Sequence, residues 1–253
     1  MSSIAIAGIV FGSSVAAAVL AIFGKRFLPD HHLCSDSRDV VKLGMGVIAT
    51  LSALVLGMLV ATAKSNFDAQ SASVQEMAAD VVLLDRALHR MGDAGKDGRG
   101  ALKIATAATI DSIWPGSSQA PTDVTPIEAK APLELLYTRI VMIPTTTDEQ
   151  RDNKAKALEM TAQLARERLR LVAKQENPLS LPFMAVLTVW LTVLFAGYGI
   201  LAPGNATVVI VLAVSALSVA GAIFLMLELN TPFEGIMRVS SLPLRNALTV
   251  VGQ

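Results

Sequence analysis

The stretch Leu43–Ala63, LGMGVIATLSALVLGMLVATA, decides the fold of this chain because it carries no charged residue and is long enough to cross a membrane. At a rise of about 1.5 Å per residue, a helix of this length spans a hydrocarbon core roughly 30 Å thick. Three other stretches share these properties, namely Ile4–Gly24, Phe183–Leu201 and Thr207–Leu227. The sequence therefore predicts a multi-pass membrane protein with two helical hairpins.

Ionisable residues concentrate between the two hairpins. Lys64–Glu176 holds 15 of the 21 basic and 16 of the 21 acidic residues, and the formal net charge is zero. We expect a first hairpin over residues 1–63, a water-facing helical domain over 64–176, a second hairpin over 177–228 and a C-terminal tail over 229–253. Because no basic cluster stands out, nucleic acid is not an expected partner.

The apolar pattern of the second span continues past the membrane edge and takes on heptad spacing. The continuing positions are Phe67, Val74, Met77, Val81, Leu84, Leu88 and Met91. This spacing keeps them on one helix face, which predicts a single helix from the second span to about Met91. The glycines between Gly92 and Gly100 should end it.

A second apolar stripe leads into the third span and should pack antiparallel to the first. Its members are Leu158, Ala162, Ala165, Leu169 and Val172. Shorter helices are expected over Ala101–Ile113 and from Thr125 to about Ile143, and Thr147 to Gln150 forms a capping box. Strand patterns are nearly absent, so the predicted fold class is all-α.

Ligand-type side chains occur close together at His31, His32 and Cys34 in the first loop, which raises the possibility of a metal site. Their spacing fits no standard zinc pattern, so a solvated loop is the favoured interpretation. The remaining histidine, His89, lies off the heptad face without a partnering nucleophile, and no phosphate-binding loop follows a strand. The sequence thus predicts neither an enzyme nor a cofactor.

Several residues of the second span could line a pore if copies of the chain surround an axis. The candidates are Thr50, Leu54, Gly57, Thr62 and Lys64. Small residues such as Gly8, Gly12 and Gly57 also permit close packing within a helical bundle, which needs no pore. Hydroxyl groups in a span commonly bond the backbone one turn earlier.

Glu228 is an ionisable residue at the end of the fourth span. It could extend into water, or it could interact with an ion or hydrogen-bond a neighbouring helix. Asn230, in the polar turn that follows, and Arg86, on the long helix, are further candidates for an interface or an ion contact.

Sequence motifs along nearly the whole chain resemble those of the bestrophin-like family of bacterial and plant membrane proteins, a domain of unknown function. The motifs are Ile48–Gly57 with Ala63-Lys64-Ser65, Phe67-Asp68, Leu84-Asp85-Arg86, Gln150-Arg151, Leu201–Thr207, Ala216–Leu225, Leu227–Gly235 and Pro243–Ala247. Two local departures are Met91-Gly-Asp-Ala94, where Tyr-Gly-Pro-Glu is expected, and Arg168-Leu169, where Arg-Trp is expected.

The resemblance implies a channel, because bestrophins are pentameric anion channels with four spans, a cytoplasmic helical domain and a pore lined by the second span. By analogy we expect a homo-oligomer, a pentamer in bestrophins, whose partners are membrane lipid, further copies of the chain and a permeant anion. The alternative is a non-conducting membrane scaffold or sensor whose helical domain binds a cytoplasmic partner. The expected location is the bacterial inner membrane. The distribution of Lys and Arg near the span ends favours a cytoplasmic middle domain.

Overall fold

The computed structural model describes residues 2–27, 35–114, 132–175 and 181–252. Within these ranges the regular elements are helices and no strand occurs, which confirms the predicted all-α class. The helices are α1 (Ser3–Gly24), α2 (Ser35–His89), α3 (Lys96–Ile113), α4 (Pro132–Met142), α5 (Asp148–Gln175), α6 (Leu181–Leu201), α7 (Ala206–Leu229) and α8 (Leu242–Val250).

Four helices, α1, α2, α6 and α7, are long and apolar enough to cross a membrane, as the sequence predicts. The second of them is one helix of 55 residues, so the apolar span and the heptad segment are continuous. It ends at His89, close to the predicted end at Met91, and Gly92 follows with a φ of 66°. A left-handed backbone at that position explains why a glycine ends the helix.

One compact unit contains the apolar helices: Met1–Phe67, Pro178–Thr231 and Gly235–Met237. Its core is formed by side chains of α1, α2, α6 and α7, including Val10, Ala63, Leu187, Leu191, Ile223 and Met226. Because lipid is as apolar as these side chains, close van der Waals contact rather than burial from water holds such helices together.

Close backbone approach in this unit occurs at glycines of α6. A Cβ atom on Gly197 would lie 2.6 Å from the Met45 sulfur, and one on Gly199 would overlap the Ala18 carbonyl oxygen of α1. Nothing lies within 4 Å of a Cβ atom placed on Gly8 or Gly12. The close packing that Gly8 and Gly12 would permit occurs instead at the glycines of α6.

The second compact unit comprises Asp68–Asn177, Pro232–Glu234 and Arg238–Gln253. The heptad positions of α2 in this unit are buried, Val74, Leu84 and Leu88 completely, which confirms the predicted face. Leu102, Ile110 and Ile113 of α3 are likewise at most 1% exposed.

The predicted position of the buried face on α5 is wrong. Leu169 is 69% exposed, whereas the buried residues are Asn153, Ala157, Thr161, Leu164 and Leu171. Leu164 borders a small cavity together with Met77 and Val81 of α2, so the two helices do lie close to each other. The buried face is shifted because two stripes of similar apolar character overlap on α5, offset by one residue or about 100°.

Two contacts between different segments stabilise the second unit internally. The buried carboxylate of Asp85 accepts hydrogen bonds from Arg99 Nε at 2.8 Å and from Arg99 Nη2 at 3.0 Å. Trp114 packs edge-on against Phe233 and donates its indole N–H to the Val239 carbonyl oxygen at 2.9 Å. The ion pair joins residues 14 positions apart in the sequence, and the Trp114–Val239 hydrogen bond joins residues 125 positions apart.

Other predicted local features are placed as follows. Gln150 donates its backbone N–H to Thr147 Oγ1 at 3.2 Å, as expected for a helix N-cap at the start of α5. The helix expected from Thr125 is described from Pro132 onward, and the capping box that begins at Thr125 lies outside the described residues.

Candidate functional site

The membrane-spanning part of α2 is unusually exposed. Of its most apolar segment only 11% is buried within the chain, whereas the corresponding share is 28% in α1, 28% in α6 and 17% in α7. A buried face is nevertheless present, since Met45 and Ser52 are 6% and 4% exposed. One side of this helix therefore packs within the chain, and a wide opposite side is exposed in the part of the chain that the structure describes.

The five pore candidates lie on the open part of α2. Leu54 is 69% exposed, and Thr50, Gly57, Thr62 and Lys64 are also exposed. At about 100° per residue, four of them fall within roughly 80° of arc. Thr62 lies about 120° around the helix from Thr50 and is not part of that stripe.

The hydroxyl groups of this face bond the helix backbone. Thr50 Oγ1 donates to the Gly46 carbonyl oxygen and Thr62 Oγ1 to the Met58 carbonyl oxygen, both at 2.8 Å. Each hydroxyl oxygen keeps acceptor capacity, but its proton is engaged. The face is consequently less polar than its composition indicates.

Lys64 ends the stripe at the junction of the apolar and charged parts of α2. Its ammonium nitrogen lies 5.6 Å from the centre of the Phe67 ring, within the range of a cation–π interaction. The Lys64 side chain is exposed.

Glu228 forms the best-defined polar constellation of the apolar unit. The residue is only 4% exposed, so its carboxylate does not extend into water. Its Oε2 accepts the backbone N–H of Ile236 at 2.6 Å and that of Met237 at 3.3 Å. The hydroxyl of Ser3, in the first turn of α1, is a third hydrogen-bond partner.

The loop after α7 reaches this carboxylate because of Gly235. This residue has a φ of 80°, which L-residues with a side chain rarely adopt, and a Cβ atom there would lie 2.6 Å from Glu228 Oε2. Sequence reasoning found Glu228 but missed Ser3, Ile236 and Met237. A glycine seven residues after the glutamate is the one local signal of the turn.

The other two interface candidates are not brought to Glu228 by any described contact. Asn230 caps the end of α7, where its backbone N–H reaches the carbonyl oxygens of Met226, Leu227 and Glu228. Arg86 is exposed on α2, next to the buried Asp85.

A group of carboxylates lies between α2 and α5 in the charged unit. The pKa of Glu167 is raised above its ordinary value of 4.5, first by burial and then by the negative charges of Glu76 and Asp80. A hydrogen bond with Gln163 and the charge of Arg170 act in the opposite direction. Like charges held this close make the group sensitive to pH.

Metal chemistry has no described site. Among the residues that the structure describes, no group of three or more His, Cys, Asp or Glu side chains could hold a metal ion. His31, His32 and Cys34 lie outside those residues, so the weak metal candidate is not placed. His89 is exposed at the end of α2.

Comparison with known proteins identifies the family. The model of the bestrophin-like domain matches residues 11–244, which is nearly the whole chain. The chain belongs to the bestrophin-like family. No curated protein matches this bestrophin-like chain in sequence.

Solved structures of bestrophin homologues share the fold. One single-residue variant of a bacterial bestrophin homologue from Klebsiella pneumoniae has a TM-score of 0.72 and 15% identity, covering 100% of this chain and 99% of that chain. Another variant has a TM-score of 0.69 and 15% identity, with coverage of 98% and 99%. A structure described as a membrane protein has a TM-score of 0.66 and 14% identity, with coverage of 97% and 98%. This chain thus shares the fold of these structures over nearly its whole length.

Proposed function

We propose that the protein is a homo-oligomeric, anion-conducting channel of the bestrophin type in which α2 lines the pore. The exposure of α2 is the observation that carries this proposal. A span of which only 11% is buried within its own chain needs partners, and the open stripe bears Thr50, Leu54 and Gly57. Family membership and the shared fold favour the same arrangement.

Several copies of α2 around an axis would make rings from each position of the stripe. Leu54 would give an apolar ring, a type of constriction that closes by excluding water. Lys64 would give a ring of positive charge at the mouth, which attracts anions and repels cations. The partners of the chain are then membrane lipid, other copies of itself and a permeant anion, with five copies as the number suggested by bestrophins.

Charge reversal at Lys64 tests the proposed pore. A charge about 7 Å from a permeant ion contributes roughly 0.6 kcal/mol in water, so Lys64→Glu in several copies should change the anion-to-cation permeability ratio by at least about tenfold. The measurement is the reversal potential of purified protein in a planar bilayer under a salt gradient. Arg151→Glu is the matched control, because Arg151 is an exposed basic residue on α5.

Cysteine labelling tests which helix faces the pore. In a Cys34→Ser background, Gly57→Cys should allow a charged, membrane-impermeant thiosulfonate to block the current. Leu217→Cys on α7 is the control, since Leu217 is 61% exposed and should face lipid. Block at Leu217 without block at Gly57 would overturn the assignment of α2 to the pore.

The oligomeric state decides between the channel and its alternative. A particle image should show rotational symmetry with α2 nearest the axis. A monomer in mild detergent contradicts the proposal. An intact oligomer without ion flux in liposomes would instead support a non-conducting scaffold or sensor.

We further propose that the protein resides in the inner membrane of a bacterium with residues 64–176 in the cytoplasm. The support is the excess of Lys and Arg on the side of the charged segment, including Lys64, Arg166 and Arg170. Reporter fusions after residues 95 and 203 test the orientation. The cytoplasmic reporter should be active at the first site and the periplasmic reporter at the second.

A further inference from the structure

The carboxylate of Glu228 is held like a bound anion. Glu228 Oε2 receives the N–H groups of Ile236 and Met237, at 2.6 and 3.3 Å, and the Ser3 hydroxyl is also a partner. Only 4% of the surface of Glu228 is exposed. None of these three partners carries a charge, so within the described residues the contacts of the carboxylate are with dipoles.

Consecutive backbone N–H groups that converge on one point form a concave anion-binding element known as a nest. Here the nest is shaped by Gly235, whose positive φ turns the next two N–H groups towards Glu228. A Cβ atom at position 235 would collide with the carboxylate at 2.6 Å, so the loop fits closely around the anion. Such geometry binds an anionic oxygen or halide whether or not it is attached to a side chain.

We propose that the N–H groups of Ile236 and Met237 and the Ser3 hydroxyl form a site for a small monovalent anion, which the Glu228 side chain occupies as a tethered competitor. The tether gives the carboxylate a high effective concentration at the site, so free anions at ordinary concentrations do not displace it. The class of ligand is a halide or a small carboxylate such as formate. This inference goes beyond the proposed channel, because the site exists whether or not the protein conducts.

Removal of the tethered carboxylate should vacate the site for a free anion. In Glu228→Ala protein purified in detergent, the thermal unfolding midpoint should rise and saturate with added sodium bromide or sodium formate, at ionic strength held constant with sodium gluconate. Gluconate is too large for a buried site. The wild type and Glu228→Gln, whose amide oxygen still fills the site and accepts the N–H groups, should show no such rise.

The position of bound bromide can also be observed directly, because bromide scatters strongly. Crystals or particle images of Glu228→Ala in bromide should show density where Glu228 Oε2 lies in the wild type, within hydrogen-bond distance of the Ile236 and Met237 nitrogens. Adding Ser3→Ala to Glu228→Ala should weaken the bromide-dependent rise by at least about threefold in apparent affinity, because one donor is lost.

Several results would overturn the inference. One is an equal anion-dependent rise of the unfolding midpoint in the wild type. A second is the absence of both a rise of the midpoint and bromide density in Glu228→Ala. A third is a collapsed 230–237 loop in that variant even with formate present. If Glu228→Ala folds only in the presence of anions, a higher folded yield in formate than in gluconate supports the site, and equal yields contradict it. None of these readouts involves ion flux, so a failure of the channel proposal is separate from a failure of this one.

Discussion

The Asp85–Arg99 pair allows a quantitative prediction about stability. The Asp85 side chain is 7% exposed and the Arg99 side chain 15%, and two hydrogen bonds of 2.8 and 3.0 Å join them. Arg99→Met removes the cation and leaves the carboxylate buried without its partner. Breaking a buried pair in this way costs about 3–5 kcal/mol, and the residual access of water at Arg99 favours the lower end, about 3 kcal/mol.

The expected result is a large loss of thermal stability. For a chain of this size each kcal/mol shifts the unfolding midpoint by about 2–4 °C, so Arg99→Met should lower it by roughly 6–12 °C. Far-UV circular dichroism of the purified protein in detergent measures the midpoint. Hydrogen exchange of amides in α3 shows whether the loss arises in the unit that contains the pair.

Two further variants test whether the buried ion pair causes this loss of stability. Asp85→Leu combined with Arg99→Met should recover most of the loss, because apolar pairs of similar volume replace buried ion pairs at little cost. Lys96→Met should have no measurable effect, since its partner Asp93 is 92% exposed. If Arg99→Met behaves like Lys96→Met, the buried pair does not contribute as the geometry indicates.

Three other predictions concern packing, pH and a buried hydrogen bond. Gly199→Ala should destabilise the α1–α6 contact by about 1–3 kcal/mol through overpacking, whereas Gly12→Ala, with open space at its Cβ, should not, as measured by thermal unfolding in detergent. Because the folded protein binds the Glu167 proton more tightly than the unfolded chain, stability is lost as the pH rises from about 4.5 through the raised pKa. Glu167→Gln should therefore raise the unfolding midpoint at pH 8 and leave it unchanged at pH 4, unlike the exposed Glu159→Gln. Trp114→Phe should cost about 1–3 kcal/mol in chemical unfolding, because it leaves a buried carbonyl oxygen without its donor.

Each of these predictions has a result that contradicts it. Equal midpoints for the two glycine variants would mean that α1 and α6 can separate at no cost. A benefit of Glu167→Gln that persists at pH 4 would assign the effect to something other than proton binding. A Trp114→Phe variant as stable as the wild type would show that water replaces the indole N–H.

The sequence predicted the membrane spans and the long helix because both follow from local patterns. The absence of charge over Leu43–Ala63 and the heptad that follows are properties of consecutive residues, and the hydrocarbon core fixes the length required. The Thr147 cap is equally local, since its partner lies three residues away. Family motifs along the chain added the bestrophin-like assignment, which the family model confirms.

The buried face of α5 could not be read from the sequence. Leu158 and Leu169 suggest one stripe, and Ala157, Leu164 and Leu171 another, on the same turns of helix. Periodicity gives the number of residues per turn but does not identify the neighbour that each face meets. Only the placement of α5 near Met77 and Val81 decides which stripe is buried.

The polar constellation at Glu228 shows the same division. By itself the sequence determined that a carboxylate ends the fourth span. It left two alternatives for that carboxylate, namely extension into water and interaction with an ion or a neighbouring helix. Tertiary structure alone decided that it is buried against Ser3, more than two hundred residues earlier, and the N–H groups of Ile236 and Met237. The physical reason is that a span or a heptad depends on how favourably consecutive apolar side chains leave water for lipid or a protein core, which the local sequence fixes. A hydrogen-bonded site depends instead on which distant segments the whole fold brings together.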